Sequence, residues 1–168
     1  MERLGRRSTG AFWTMAVLAT WLGMGGDARA GDTRAPVPAA AWREPLTRAE
    51  MALASGQTRQ AERAWEEARR AAVKARMPHG LLEVGIAYLS IGEVARDRAT
   101  AVARARQLFL DSLFLARERR DVDGIAAAGH AFASLGDCEV AERAHAVVVR
   151  MSPNHGDAPV CARGDLLR

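Results

Sequence analysis

The 168-residue sequence predicts an all-α fold made of a string of antiparallel helical hairpins. Ala is abundant, Pro is sparse and aromatic residues make up only 5% of the chain, a balance that favours helix over sheet. From Pro45 to Met151, glycine-rich breaks separate segments of helical periodicity, and no period-two run typical of a strand interrupts them. A short segment, a Gly turn and a longer segment recur, which is the order of a helical hairpin.

The first thirty residues have the order of a secretory signal peptide. Three arginines precede an uncharged apolar run over residues 11–24, and Ala28 and Ala30 supply the small residues of a cleavage site. A membrane-spanning helix needs about 20 apolar residues, so this run is short for an anchor. We therefore expect residues 1–30 to be removed during export to the periplasm or the medium. An uncleaved segment that anchors the chain in the inner membrane is the alternative, and it is the only membrane contact expected.

The remaining chain divides into three parts. Residues 31–44 carry one Gly and two Pro among small residues and are predicted to be a linker. Residues 45–153 form the helical region, and residues 154–168 form a C-terminal tail.

The charge pattern argues against a nucleic-acid-binding protein. The formal net charge is +4, and without residues 1–30 it falls to +2, from 20 basic and 18 acidic residues. Acids and bases alternate along the helical segments, which is typical of a solvated helix face. A nucleic-acid interface needs a one-sided basic stripe instead, so no nucleic-acid partner is predicted.

An internal repeat follows the turn glycines. Two of these glycines are followed by a small, a bulky and a small residue at spacings of five, four and three: Gly56 by Ala61, Trp65 and Ala68, and Gly136 by Ala141, His145 and Val148. Two are preceded by a Gly and an aromatic residue at the same offsets: Gly92 by Gly85 and Tyr88, and Gly136 by Gly129 and Phe132. In these positions the sequence resembles the tetratricopeptide repeat family, whose helices cross at small residues and fill the adjoining gap with a bulky one.

The resemblance implies an α-solenoid of about three tetratricopeptide-like hairpins, over residues 42–75, 78–120 and 122–155. The second unit fits only with an insertion of about eight residues near 93–100, which either lengthens one helix or forms an irregular loop. About three repeats is the usual minimum, because a single hairpin cannot bury its own apolar face.

In this family the first helices of successive repeats line a concave groove that binds a segment of another protein. The resemblance places the groove in the second and third units, at His79, Leu82, Ile86, Leu89 and Ser90 and at Asp123, Ala126, His130, Ala133 and Ser134, with Glu50 and Leu53 as the weaker matches in the first unit. The family's basic carboxylate-binding residues are missing here and the second-unit face is apolar. An amphipathic helix or apolar peptide is therefore the expected partner. The alternative is that neighbouring repeats bury these apolar side chains.

The chain has two cysteines, Cys138 and Cys161. Two cysteines in an exported protein predict one disulfide, which would contribute about 3 kcal/mol for a loop of this length. The bond would hold the tail against the last hairpin, where a terminal repeat needs a cap. Two free thiols are the alternative.

No pattern of catalytic or metal-binding residues was found. The four histidines lack zinc-ligand spacing, no phosphate-binding glycine loop is present, and His130 and Ser134 lack an Asp to complete a triad. We therefore predict no enzyme, no cofactor and no metal. The expected function is that of a protein-interaction adaptor in the cell envelope. A structural subunit that self-associates through an uncapped end is the alternative.

Overall fold

A computed structural model describes residues 40–154 and 157–161, and these residues contain six α-helices and no strand. The helices are α1 (Arg43–Ala54), α2 (Thr58–Ala75), α3 (Pro78–Ala95), α4 (Arg98–Arg119), α5 (Val122–Ser134) and α6 (Cys138–Met151). The prediction of an all-α fold is confirmed for this part of the chain. The predicted signal peptide, residues 1–30, lies outside the described residues, as does most of the predicted linker.

The helices pack in chain order. Each helix packs against the next one along the chain, and α3 also packs against α1 and α5. Within the described chain, α2, α4 and α6 do not pack extensively on one another. The result is three successive hairpins, α1–α2, α3–α4 and α5–α6, with α3 at the centre of the odd-numbered helices.

Every turn between these helices contains one residue with a positive φ. Glycine occupies two of these positions, and arginine occupies the other three: Gly56 (φ 70°), Arg76 (φ 52°), Arg96 (φ 58°), Arg120 (φ 55°) and Gly136 (φ 80°). The left-handed residue ends the helix and lets a following amide reach back, as when the Asp97 N–H donates to the Gly92 carbonyl oxygen at 3.0 Å. Glycine adopts this conformation freely because it has no Cβ, whereas for an L-residue the conformation costs about 1–2 kcal/mol.

The helical region begins slightly earlier than the sequence indicates. Helix α1 starts at Arg43, before Pro45, and Trp42 is only 3% exposed. The indole of Trp42 covers Gly80 so closely that a Cβ there would lie 2.9 Å from the ring. Residues 42–44 therefore belong to the folded helices and not to a linker.

The insertion near residues 93–100 is helical except for a turn at Arg96 and Asp97. Helix α3 continues to Ala95 and α4 begins at Arg98, so the extra residues lengthen both helices of the middle hairpin, to 18 and 22 residues. Gly92 is accordingly not a break. It lies inside α3, in close contact with Ala101 of α4, where a side chain would not fit.

Small residues bring the helices together and aromatic residues fill the gaps between hairpins. The residues at the small positions of the repeat are at most 1% exposed: Ala61, Ala68, Ala105, Ser112, Ala141 and Val148. Trp65 of α2 packs on Tyr88 of α3 with ring centroids 4.2 Å apart, and Phe109 of α4 meets Phe132 of α5 edge to face at 6.1 Å. The same aromatic contact thus joins the first hairpin to the second and the second to the third.

The buried side chains form two clusters. One joins α1, α2 and α3 with three residues of α4, and the other joins α4, α5 and α6 with Leu82 of α3. The middle hairpin contributes to both clusters, so it links the two halves of the core.

Candidate functional site

A groove of about 440 Å³ runs between α1 and α3. Its lining residues come only from these two helices: Arg43, Leu46, Thr47, Ala49, Glu50 and Leu53 of α1, and Glu83, Ile86, Ala87, Ser90 and Ile91 of α3. Ala49 and Ile91 are buried, whereas Ile86 is 54% exposed. The groove therefore combines a buried apolar floor with a large aliphatic side chain that is open to solvent.

Helical spacing explains why these residues face the same space. On α1 the apolar lining residues Leu46, Ala49 and Leu53 lie three, four and seven positions apart. On α3 the lining residues follow the first of them by three, four, seven and eight positions: Glu83, Ile86, Ala87, Ser90 and Ile91. Residues three, four and seven positions apart lie on one face of a helix. Since α1 and α3 are the first helices of adjacent hairpins and pack on each other, their faces meet along one line.

A fixed carboxylate lies at one end of the groove. Glu83 accepts a hydrogen bond from Trp42 Nε1 at 2.5 Å and another from Arg43 Nη2 at 3.1 Å. Burial alone raises the pKa of Glu83, but these two hydrogen bonds and the neighbouring positive charge of Arg43 and His79 together hold the pKa below its ordinary value. Glu83 is thus ionised and already paired at neutral pH.

Glu50 is the second carboxylate of the groove. It is exposed and, among the described residues, it has neither a hydrogen bond nor an ion pair. It is therefore able to pair with a basic group that enters the groove.

The structure divides the residues that the sequence proposes for the second unit. Ile86 and Ser90 line the groove, and Glu50 and Leu53 of the first unit join them there. Leu82 is only 5% exposed and belongs to the second core cluster, and Leu89 is half-buried against both clusters. His79 is exposed at the start of α3 and does not line the groove. For Leu82 the alternative of burial between repeats is therefore the correct one.

The third-unit residues do not extend the groove. Asp123, His130 and Ser134 are exposed, Ala126 is half-buried and Ala133 is buried. Ala126 and His130 line a separate space of only about 20 Å³, together with α6 and two residues of the tail, Asp157 and Pro159. The chain's own C-terminal segment thus lies beside α5 at Ala126 and His130.

That segment is joined to α6 by a disulfide between Cys138 and Cys161, whose Cα atoms are 5.6 Å apart. The two cysteines that the sequence singled out are therefore brought together, and the bond attaches residue 161 to the first turn of α6.

Seven lining residues are not among those that the sequence proposes: Arg43, Leu46, Thr47, Ala49, Glu83, Ala87 and Ile91. The repeat pattern is degenerate in the first helix of the first unit, so the family resemblance did not reach the lining residues of α1. Those of α3 belong to a unit that matches the pattern, but they lie at positions that the resemblance does not assign to the groove. The seven-residue spacing of Leu46 and Leu53 is the signal in the sequence that could have found this face.

No group of three or more His, Cys, Asp or Glu suited to a metal ion lies in residues 40–154 and 157–161. None of the helices in these residues combines the length and the hydropathy needed to cross a membrane. The chain matches no protein-family model, no curated protein and no solved structure.

Proposed function

We propose that the described helices form a tetratricopeptide-like α-solenoid of three hairpins. Packing of odd-numbered helices on each other, with even-numbered helices kept apart, supports this arrangement. Further support comes from the six buried small positions and from the repeated aromatic contact between successive hairpins. In such an array the odd-numbered helices line the concave side.

We propose that the protein is an exported interaction adaptor that binds a short apolar segment of another protein between α1 and α3. The observation that carries this proposal is the groove itself, where Ile86 is 54% exposed beside Leu46 and Leu53. A concave surface with an apolar floor and a few polar groups at its edge is the usual form of a ligand-binding site. Export is supported by the order of residues 1–30 and by the disulfide, since disulfides persist in oxidising compartments.

The groove specifies the chemistry of the segment. Helix α1 has 12 residues and is therefore about 18 Å long, which matches about three turns of a bound helix. An apolar ridge on that helix would cover Ile86, and a Lys or Arg at its edge would pair with Glu50. Arg43 already pairs with Glu83, so the groove offers no free cation for an acidic terminus. An amphipathic helix with a basic edge is thus the proposed ligand.

The alternative function is that of a self-associating structural subunit. Met51 supports it, because this α1 residue is 59% exposed in an open space of about 580 Å³ on the outer side of α1 and α2. The remaining lining is mostly polar, which is the expected character of a terminal cap, so the adaptor remains the favoured proposal.

Two substitutions on α3 test the adaptor. Ile86→Arg places a charge in the groove, while Val94→Arg places one on the same helix outside it, at a residue of nearly equal exposure (52%). Leu82→Arg is unsuitable, since a charge at this buried position would unfold the protein. Tagged full-length chains are recovered from the envelope fraction, and co-purifying proteins are quantified by mass spectrometry.

We expect a stoichiometric partner with the wild type and with Val94→Arg, and a loss of at least about tenfold with Ile86→Arg. A segment of that partner, made as a peptide, should then bind the purified chain and should bind less tightly to Glu50→Lys. Equal recovery of the partner with both arginine variants would refute the groove. Recovery of further copies of this chain alone would favour the structural subunit.

A further inference from the structure

The last five described residues, 157–161, close the end of the helical array. Pro159 and Cys161 are half-buried, and Cys161 packs against the core cluster of α4, α5 and α6, with its sulfur 3.9 Å from the Ala133 carbonyl oxygen. The space that remains between this segment and helices α5 and α6 is about 20 Å³, room for about one water molecule. We call residues 157–161 the tail segment.

The surface beneath the tail segment has the same place in its hairpin as the surfaces that receive α3 and α5. In the first hairpin Trp65 meets Tyr88 of α3, and in the second Phe109 meets Phe132 of α5. His145 holds the corresponding position on α6, and Val148 follows it at the spacing of the buried small residues. Among the described residues no helix follows α6, so the tail segment lies where the next helix of an array would pack.

One covalent bond holds the tail segment in place. In the described chain, residues 157–160 make no hydrogen bond or ion pair, and Val160 is 90% exposed. Their contacts are the partial burial of Pro159 and the packing around Cys161. Ordering a residue costs about 1–2 kcal/mol of backbone entropy, so these contacts alone are too few to keep the segment bound once the disulfide is broken.

We propose that the disulfide between Cys138 and Cys161 is a redox-sensitive latch: its reduction releases the tail segment and uncovers a helix-accepting surface on α5 and α6. A dithiol reductant supplies the two electrons. One of its thiolates attacks a cysteine sulfur, which forms a mixed disulfide and expels the other cysteine as a thiolate. The second thiol of the reductant then closes its own disulfide and expels the first cysteine, and both cysteines take up a proton.

Both cysteines are only half-buried, so a reductant can reach the bond without unfolding of the helices. Release opens the space that is lined on α5 and α6 by Ala126, Gly129, His130, His145 and Val148, an apolar strip with two imidazoles. The helices themselves keep the contacts of α5 with α6 and with α4. The latch therefore changes the exposed surface at one end of the molecule and leaves the groove between α1 and α3 as it is.

Hydrogen exchange of the full chain, with and without dithiothreitol, tests the latch. We expect amide exchange in residues 157–161 and in the adjoining turns of α5 and α6 to rise at least about tenfold on reduction, with unchanged far-UV circular dichroism. A dye that binds apolar surface should gain fluorescence in parallel. Cys138→Ser/Cys161→Ser should show the fast exchange of the reduced wild type even without reductant, and dithiothreitol should not change it. Exchange in Ile86→Arg should rise on reduction as it does in the wild type.

Two results would overturn the proposal. Unchanged exchange in the reduced wild type would mean that non-covalent contacts suffice to hold the tail segment. A loss of helical signal on reduction would mean that the bond is needed to keep α6 folded and is not a latch.

Discussion

Single small residues decide how closely the helices of this protein approach. Gly85 of α3 lies against Phe109 of α4, and a Cβ at Gly85 would come within 2.6 Å of the phenyl ring. Gly129 occupies the same repeat position in α5, but there a Cβ would lie 3.2 Å from the methyl group of Ala144. At the same repeat position, the middle hairpin thus has no room for a side chain, whereas the last hairpin has almost enough room for a methyl group.

This difference predicts responses to alanine that differ in size. Gly85→Ala should lower the free energy of unfolding by about 1–3 kcal/mol, since the ring of Phe109 is fully buried and cannot move aside. Gly129→Ala should cost much less, because alanine gains about 1 kcal/mol in helix propensity against a small adjustment of Ala144. Urea denaturation followed by circular dichroism measures both. Equal losses in the two variants would contradict the prediction.

For single residues, the sequence predicts which residues occupy the repeat positions better than it predicts which of them are buried. Spacing from the turn glycines identified Trp65, Tyr88 and Phe132, which the structure places between hairpins. The family resemblance, by contrast, placed Leu82 in the groove, where the structure finds a core residue. Leu82 and Ile86 are both apolar and four residues apart, and only the way in which one hairpin packs on the next separates the buried residue from the exposed one.

At the scale of the elements, three turns use arginine where a left-handed residue is required. Arg96 ends α3 with φ 58°, and its side chain makes no hydrogen bond or ion pair with another described residue. The left-handed backbone therefore costs free energy at this position, and the arginine side chain makes no compensating hydrogen bond or ion pair within the described chain.

Arg96→Gly should accordingly raise the free energy of unfolding by about 0.5–1 kcal/mol, the conformational penalty minus the entropy of the added glycine. Arg63→Gly is the matched control, since Arg63 is an exposed arginine inside α2 and its replacement should lower stability by about 1 kcal/mol. Thermal and urea denaturation give the two values. A loss with Arg96→Gly would show that the arginine contributes more than its backbone conformation indicates.

These turns also show which boundaries between helices can be predicted from the sequence. Gly56, Pro78 and Gly136 mark three of the five turns in the sequence. The turn at Arg96 and Asp97 contains neither Gly nor Pro, and the helical pattern continues on both sides of it, so the course of residues 93–100 remained open. A helix boundary set by a left-handed arginine leaves no compositional signal.

For the whole molecule, the division of the core into two clusters determines how many helices are destabilised by one core substitution. Phe109 belongs to the middle hairpin and contacts both α3, at Gly85, and α5, at Phe132. Val148 is just as buried, at 1% exposure, but it lies in the last helix, in a cluster to which α1 and α2 do not contribute.

Phe109→Ala should therefore cost about 3–5 kcal/mol and speed amide exchange in all six described helices, because it loosens the hairpin that links the clusters. Val148→Ala should speed exchange chiefly in α5 and α6. Native-state hydrogen exchange with mass spectrometry separates the two patterns. A uniform response to Val148→Ala would mean that the described helices unfold as one cooperative unit.

The chain-order packing also determines how this protein carries mechanical force. Apart from the contacts of α3 with α1 and α5, each described helix holds only its neighbours, so tension applied between residue 40 and residue 151 passes through the hairpins in series. A molecule connected in this way lengthens in steps, with the weakest hairpin yielding first while the others stay folded. The bond between Cys138 and Cys161 closes a loop that contains all of α6. It therefore limits how far α6 can be extended, whereas α1 to α5 resist stretching through side-chain packing and helix hydrogen bonds alone.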